Sequence, residues 1–233
     1  MKQLVVGTVR AGRLTSFWNH ECKRIQKTRC EGRSMMHDKR LGDPIVVGLA
    51  AFVVAQTLLN LPNAHLVPPQ VTLFFMPAIL VCGGLVYFLA CIFSYVRGDT
   101  FGLSVNGFYG AFFTSLFLFF YLELKGVLQF GTQANEALGV FLLIWTIVTV
   151  PFVIAAFRVQ LMFGLLFLFV FFAFLGGTLA NLAGVNSAFG GYSGLISAAI
   201  GLILMAEALL KSVQVHVPQP SPSVADLIAR SEA

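Results

Sequence analysis

The residues of this chain that can do chemistry lie in apolar company. Glu207 sits in the run Ile203-Leu204-Met205-Ala206-Glu207-Ala208-Leu209-Leu210, four residues before Lys211. A carboxylate inside a membrane helix is costly and usually faces protein or a pathway. One reading of Glu207 is therefore a proton-coupling or gating group. The other is an ion pair, because Glu on the N-terminal side of Lys at i,i+4 is the favourable helical orientation. The sequence leaves both open. Gln56 and Thr57 share the apolar run that begins at Pro44, and Asn60 and Asn63 close it. Asn106, Tyr109, Thr114 and Ser115 open a later run, and Asn181 and Asn186 end another. Amides and hydroxyls so placed can line a hydrated path or bond across helices. The pairs Asn60/Asn63 and Asn181/Asn186 recur where a run terminates near Pro or Gly. There an amide can bond a carboxylate or satisfy a freed carbonyl.

Enzyme chemistry is not indicated. The chain has no G-x-S-x-G, H-E-x-x-H, Walker or dinucleotide-binding sequence. His20, His37, His65 and His216 fall in tails or a loop. His20 and His37 flank Cys22 and Cys30, but the spacing fits no zinc pattern. Cys82 and Cys91 lie in an apolar run and read as small buried hydrophobes. The expectation is a protein that is not an enzyme and uses neither metal nor cofactor.

The elements that must position these residues follow from composition. Of 233 residues, 58% are hydrophobic and 11% charged, and 24 phenylalanines stand against ten acidic residues. A soluble fold of this size exposes too many residues to water to hide that much apolar surface. Lipid as solvent removes the conflict. Six apolar segments cover about 44–61, 72–96, 103–124, 136–157, 160–183 and 192–211. About 20 helical residues cross a hydrocarbon core of roughly 30 Å, and the first segment reaches that length if it extends through Asn63. Asp43-Pro44 is a helix start, an N-cap followed by Pro at the first position. Pro77 and Gly83-Gly84 interrupt the second segment, and Pro151 predicts a kink in the fourth. The runs are long and apolar on every face, which excludes the short alternating strands of a membrane barrel. Glycines and alanines at 176, 177, 180, 190, 191, 194, 198 and 201 suit close helix packing. The fold class is an all-α membrane protein, a six-transmembrane-helix bundle.

Ten of the fifteen Lys and Arg precede Leu41. Residues 1–42 read as a basic, largely disordered cytoplasmic tail, 43–211 as the membrane domain and 212–233 as a Pro/Ser-rich cytoplasmic tail. The basic tail, Arg97, Arg158 and Lys211 fall on one side, which the positive-inside rule makes cytoplasmic. The lipid bilayer is the expected partner, and no nucleic-acid reader motif is present.

These polar positions form a series that resembles the acetate uptake transporter family over roughly residues 42–211. The strongest piece is Arg97-Gly98-Asp99-Thr100-Phe101-Gly102-Leu103 with Phe108-Tyr109-Gly110 and Phe112, similar to the family's G-(N/D)-T-F-G … Y-G-(S/A)-F stretch. Leu138-Gly139, Trp145, Asn181-Leu182-Ala183-Gly184 and Glu207 fall in register with it. The family's first-helix signature Asn-Pro-Ala-Pro-Leu-Gly is here Asp43-Pro44-Ile45-Val46-Val47-Gly48. The added carboxylate near an anion route repels anions unless it is protonated or serves as a cap. Tyr87 and Ser94 are further departures, where relatives can carry Gln and Glu. The resemblance implies a homo-hexamer, each protomer with its own central path, in the plasma membrane. It implies a pore constriction at Phe52, Tyr109 and Val170, the last smaller than the family's Leu. It implies passage of acetate or another small monocarboxylate, or succinate, coupled to protons. Asp43, Pro44, Gln56, Thr57, Asn60, Asn63, Asn106 and Asn181 are the candidate pathway or substrate-binding residues. Two alternatives stand beside this reading: transport of ammonia or another small neutral solute, and a structural or signalling membrane protein that transports nothing.

Overall fold

The computed structural model describes residues 42–129 and 131–215. The basic segment with His20, His37, Cys22 and Cys30, and the segment from His216 onward, lie outside the described residues. Among the described residues six helices are long and apolar enough to cross a membrane: α1 Pro44–Asn63, α2 Pro69–Arg97, α3 Thr100–Leu124, α4 Ala134–Val159, α5 Leu161–Ala183 and α6 Ala188–Ser212. The first does extend through Asn63, so every segment has spanning length.

Local chemistry sets the helix ends. The Asp43 carboxylate accepts the Ile45 N–H at 3.1 Å, capping α1 with Pro44 at its first position. The α2–α3 turn is built the same way. Gly98 ends α2 at φ 72°, a left-handed conformation that costs glycine little, and Asp99 caps α3 by accepting the Gly102 N–H at 2.9 Å. Gly184 ends α5 at φ 65°. The interruption expected in α2 is a change of helix type rather than a break. The helix is α over Thr72–Ile79, widens to π over Leu80–Val86 and returns to α over Tyr87–Arg97. Within the π turns Gly83 lies flat on Phe113, where an added Cβ would stand 2.5 Å from the ring. α4 runs uninterrupted through Pro151.

Consecutive helices alternate direction, so one end of the bundle holds Asp43, Arg97, Asp99, Arg158 and Lys211. The other holds Asn63, His65, Glu123, Lys125, Glu136 and Asn186. The pairs α1–α6, α5–α6 and α4–α5 approach closely through small residues. An added Cβ on Gly176 would stand 2.5 Å from Gly190 Cα, and Gly191 lies directly on the backbone of Asn63 and Ala64. Apolar side chains gain little by leaving lipid for protein, so such close approach and interhelical hydrogen bonds hold the bundle. α3 and α4 are held apart instead by rings: Phe108 and Phe112 meet Trp145 with centroids 4.9 and 5.1 Å apart. Outward-facing Val140, Ile144, Ile147 and Ile154 on α4 and Phe74, Leu85 and Ile92 on α2 are exposed, the surface expected where the solvent is hydrocarbon.

Candidate functional site

Two cavities open toward opposite ends of the bundle. The first, of about 590 Å³ counting its open mouth, lies at the Asp43 end between α1, α2, α3 and α5. Phe52, Tyr109 and Val170 all line it, together with Asn106, Tyr87, Ser94 and Asp99. The three expected constriction residues come from three helices, and each is at most 5% exposed. Phe52 is seated on Gly201 of α6, where an added Cβ would stand 2.9 Å from its ring. Tyr109 is wedged among Phe152, Phe167 and Phe174, with centroids at 5.7, 5.7 and 6.3 Å. Its hydroxyl is 3.0 Å from Thr149 Oγ1. The floor of this cavity is aromatic and aliphatic; its mouth carries the exposed Asp99.

The second cavity, of about 600 Å³ counting its mouth, lies at the opposite end among α1, α2, α3, α4, α5 and α6. Asn63, Thr72, Asn181 and Ser187 supply its polar groups beside Gly177, Gly190 and Gly191. Asn181 spends one amide hydrogen on its own helix, Nδ2 donating to Gly177 O at 2.8 Å. Ser187 Oγ donates to Asn63 O at 3.0 Å, and His65 Nε2 lies 3.0 Å from Asn186 Oδ1. These bonds tie the α1–α2 and α5–α6 connections together at the mouth. Among the described residues neither lining includes Lys or Arg.

The remaining candidates line neither cavity. Gln56 and Asn60 are buried in the α1–α6 contact. Gln56 Nε2 donates to Ser197 Oγ at 3.2 Å, and Asn60 Nδ2 donates to Gln56 O at 2.8 Å while its amide fills the space left by Gly194. Thr57 is half-buried on the same helix and Pro44 is buried. Asp43 caps α1 and pairs with Arg97 Nη1 at 3.2 Å. Its charge is thus offset at the mouth. Glu207 is 7% exposed and takes a hydrogen bond from Lys211 Nζ, the i,i+4 pair. The asparagines share a device: Asn106, like Asn60 and Asn181, donates to the carbonyl four residues back and packs on a glycine of a neighbouring helix. For Asn106 that glycine is Gly48, for Asn181 it is Gly139. A back-bonded amide keeps its carbonyl oxygen and one hydrogen for other partners.

Sequence reasoning passed over Asp99, Tyr87 and Ser94 as cavity residues, and over Thr149 altogether. Asp99 carried a signal, since it stands inside the Gly98–Gly102 motif. Thr149 had none beyond being a hydroxyl in an apolar run.

Six membrane-length helices with an aromatic-floored vestibule at one end and an amide-lined one at the other define a multi-pass membrane protein of the transporter or channel class. A family model described as the GPR1/FUN34/yaaH family matches residues 27–224, and the chain belongs to that family. It is similar to the succinate-acetate/proton symporter SatP of Escherichia coli strain K12, 32% identical over 187 residues that cover 75% of this chain and 92% of that one. It is also similar to accumulation of dyads protein 2 of Saccharomyces cerevisiae, 32% identical over 168 residues, 69% of this chain but 59% of the yeast protein's length. Among solved structures, that of the bacterial acetate channel SatP matches with a TM-score of 0.71, covering 77% of this chain and 99% of that chain at 24% identity. This last likeness is one of fold.

Proposed function

We propose that the chain carries acetate, or another short monocarboxylate, across a membrane along a path from the Asp43-end cavity to the cavity opposite, narrowing at Phe52, Tyr109 and Val170. The observation that carries this reading is the meeting of those three residues, far apart in sequence, in the lining of one cavity. The names of the bacterial relatives support the substrate class.

The electrostatics support passage of the neutral acid. Among the described residues no cationic side chain lines either cavity to hold a bare carboxylate, and Asp99 at the first mouth repels one. Burying a bare carboxylate is far more expensive than burying its protonated form. A proton then travels with the substrate. A dianion such as succinate must shed two charges and passes more slowly. Glu207 lies away from both linings and is held by Lys211, which favours the ion-pair role over proton coupling. The apolar floor equally favours ammonia as a second substrate class. The assembly proposed is the homo-hexamer that the family resemblance implies; the exposed apolar faces of α2 and α4 suit lipid and a neighbouring protomer alike. Arg97, Arg158 and Lys211 at the Asp43 end support placing that end, and with it both termini, in the cytoplasm; the plasma membrane is proposed on the family resemblance alone.

Uptake of radiolabelled acetate into proteoliposomes at several pH values tests the reading. Protein-dependent flux that rises as pH falls is expected. Its absence sinks the monocarboxylate assignment, and ammonia flux without acetate flux puts the second class in its place.

A further inference from the structure

Tyr109 stands at the proposed narrowing with a hydroxyl that could offer a passing solute a hydrogen bond. The direction of that hydroxyl is decided on a helix across the aromatic cluster. Thr149 of α4 is 1% exposed, and its Oγ1 is 2.8 Å from Trp145 O and 3.0 Å from Tyr109 Oη. A threonine hydroxyl has one proton and two lone pairs. Trp145 O can only accept, so the Thr149 proton goes there. The bond between the two side chains therefore has Tyr109 as donor and Thr149 as acceptor, which uses the single proton of the phenol.

The ring is confined as well. Phe174 stacks on it at 8°, and Phe152 and Phe167 meet it at 68° and 59°. Large rings separate α3 from α4 along this stretch, and the Tyr109–Thr149 bond is a polar link across the gap. A residue so held presents a ring surface to the first cavity and keeps its donor turned into the α4 side.

We propose that Thr149 is the positioning residue of the narrowing: by accepting the Tyr109 hydroxyl proton it keeps the path apolar at its tightest point and so selects against acids that carry an alcohol hydroxyl in addition to the carboxyl group. This rests on the transport reading above. Sites that lack a hydrogen-bond partner discriminate against a solute's extra hydroxyl only through its desolvation. A phenol released into the path supplies a partner and erodes that discrimination.

The test is the ratio of acetate to glycolate flux in proteoliposomes, the two acids differing by one hydroxyl. Thr149→Val keeps the side-chain shape and removes the acceptor; the ratio is expected to fall by about three-fold or more, whereas Thr149→Ser, which restores the acceptor, holds it within about two-fold of the unmodified protein. In a Tyr109→Phe background Thr149→Val is expected to change the ratio by less than about two-fold, because the interaction it removes is already gone. An unchanged ratio in Thr149→Val, or an equal fall with Phe at 109, overturns the proposal while leaving transport intact. Should Thr149→Val fail to fold, the Thr149→Ser and Tyr109→Phe pair still decides: a Tyr109→Phe ratio lower than that of the unmodified protein overturns it, since removing a sequestered hydroxyl cannot make the path more polar. Absent acetate flux in the unmodified protein would overturn the transport reading and this proposal together.

Discussion

The two ends of the bundle solve different problems with similar volumes. At the Asp43 end the cavity runs from a charged mouth, Asp99 beside the Asp43–Arg97 pair, to an aromatic floor. At the opposite end the lining carries amides, hydroxyls and glycines among aliphatic side chains and Phe120, with no charged side chain among the described residues. The first end is shaped by bulky side chains from α1, α3 and α5, where the narrowing is proposed. The second is shaped by backbone approach at Gly177, Gly190 and Gly191 and offers hydrogen-bond partners without charge. On the reading proposed above, the first end disfavours the acetate anion, the second offers the acid uncharged hydrogen-bond partners, and an apolar barrier lies between.

Filling the narrow end is expected to have the largest effect. Val170→Trp should cut acetate flux about ten-fold or more, since a narrow apolar passage gates by its width. The similarly bulky Leu138→Trp in the far cavity should cost less than about three-fold in the same liposome assay, because that cavity is not narrowed by facing rings. Equal losses would remove the distinction between the ends. Next in size is Asn181→Leu, which removes an uncharged partner from the far cavity. A rise in the acetate KM of about three-fold with kcat little changed is expected from loss of uniform binding. A fall in kcat alone would place Asn181 at the barrier instead.

Asp99→Asn sharpens the electrostatic half of the comparison. Asn caps a helix as well as Asp does, so α3 should stay intact while the mouth loses its negative charge. Acetate uptake at neutral pH should change by less than about two-fold, because a field at a cleft mouth acts oppositely on the anion and the proton and leaves the neutral acid's local concentration unchanged. A clear rise would mean that the anion itself enters. A fall would mean that the carboxylate contributes to uptake. The smallest effect is expected at Glu207. Glu207→Gln should leave the pH profile of uptake unchanged, and a thermal melt in detergent should show a modest loss of stability from the broken Lys211 pair. A flattened pH profile at normal stability would return Glu207 to proton coupling.

Much of the fold was legible in the sequence because the signals are local. Six apolar runs of spanning length, the Asp43-Pro44 start and the Glu207-Lys211 spacing each involve residues within one turn or one segment. The candidate site was legible unevenly. Phe52, Tyr109, Val170, Asn106, Asn63 and Asn181 reach the cavities, while Gln56 and Asn60 turn to α6. Gln56 and Asn60 lie in the same apolar segment as Asn63, and nothing in the run distinguishes them.

The reason is rotational. A helix that is apolar all round has no amphipathic stripe to reveal which face meets protein, so its rotation is fixed by contacts with neighbours. Gly194 receiving Asn60, Gly48 receiving Asn106 and Gly201 receiving Phe52 are such contacts. The sequence by itself determined that the chain holds six segments of membrane-spanning length, and where each lies to within about four residues, because chain length, apolarity and capping chemistry act within a segment. Only the tertiary structure decided that Phe52, Tyr109 and Val170 meet, that Asp99 faces a cavity and that Thr149 takes the proton of Tyr109, because those depend on the mutual rotation and spacing of helices far apart in the chain.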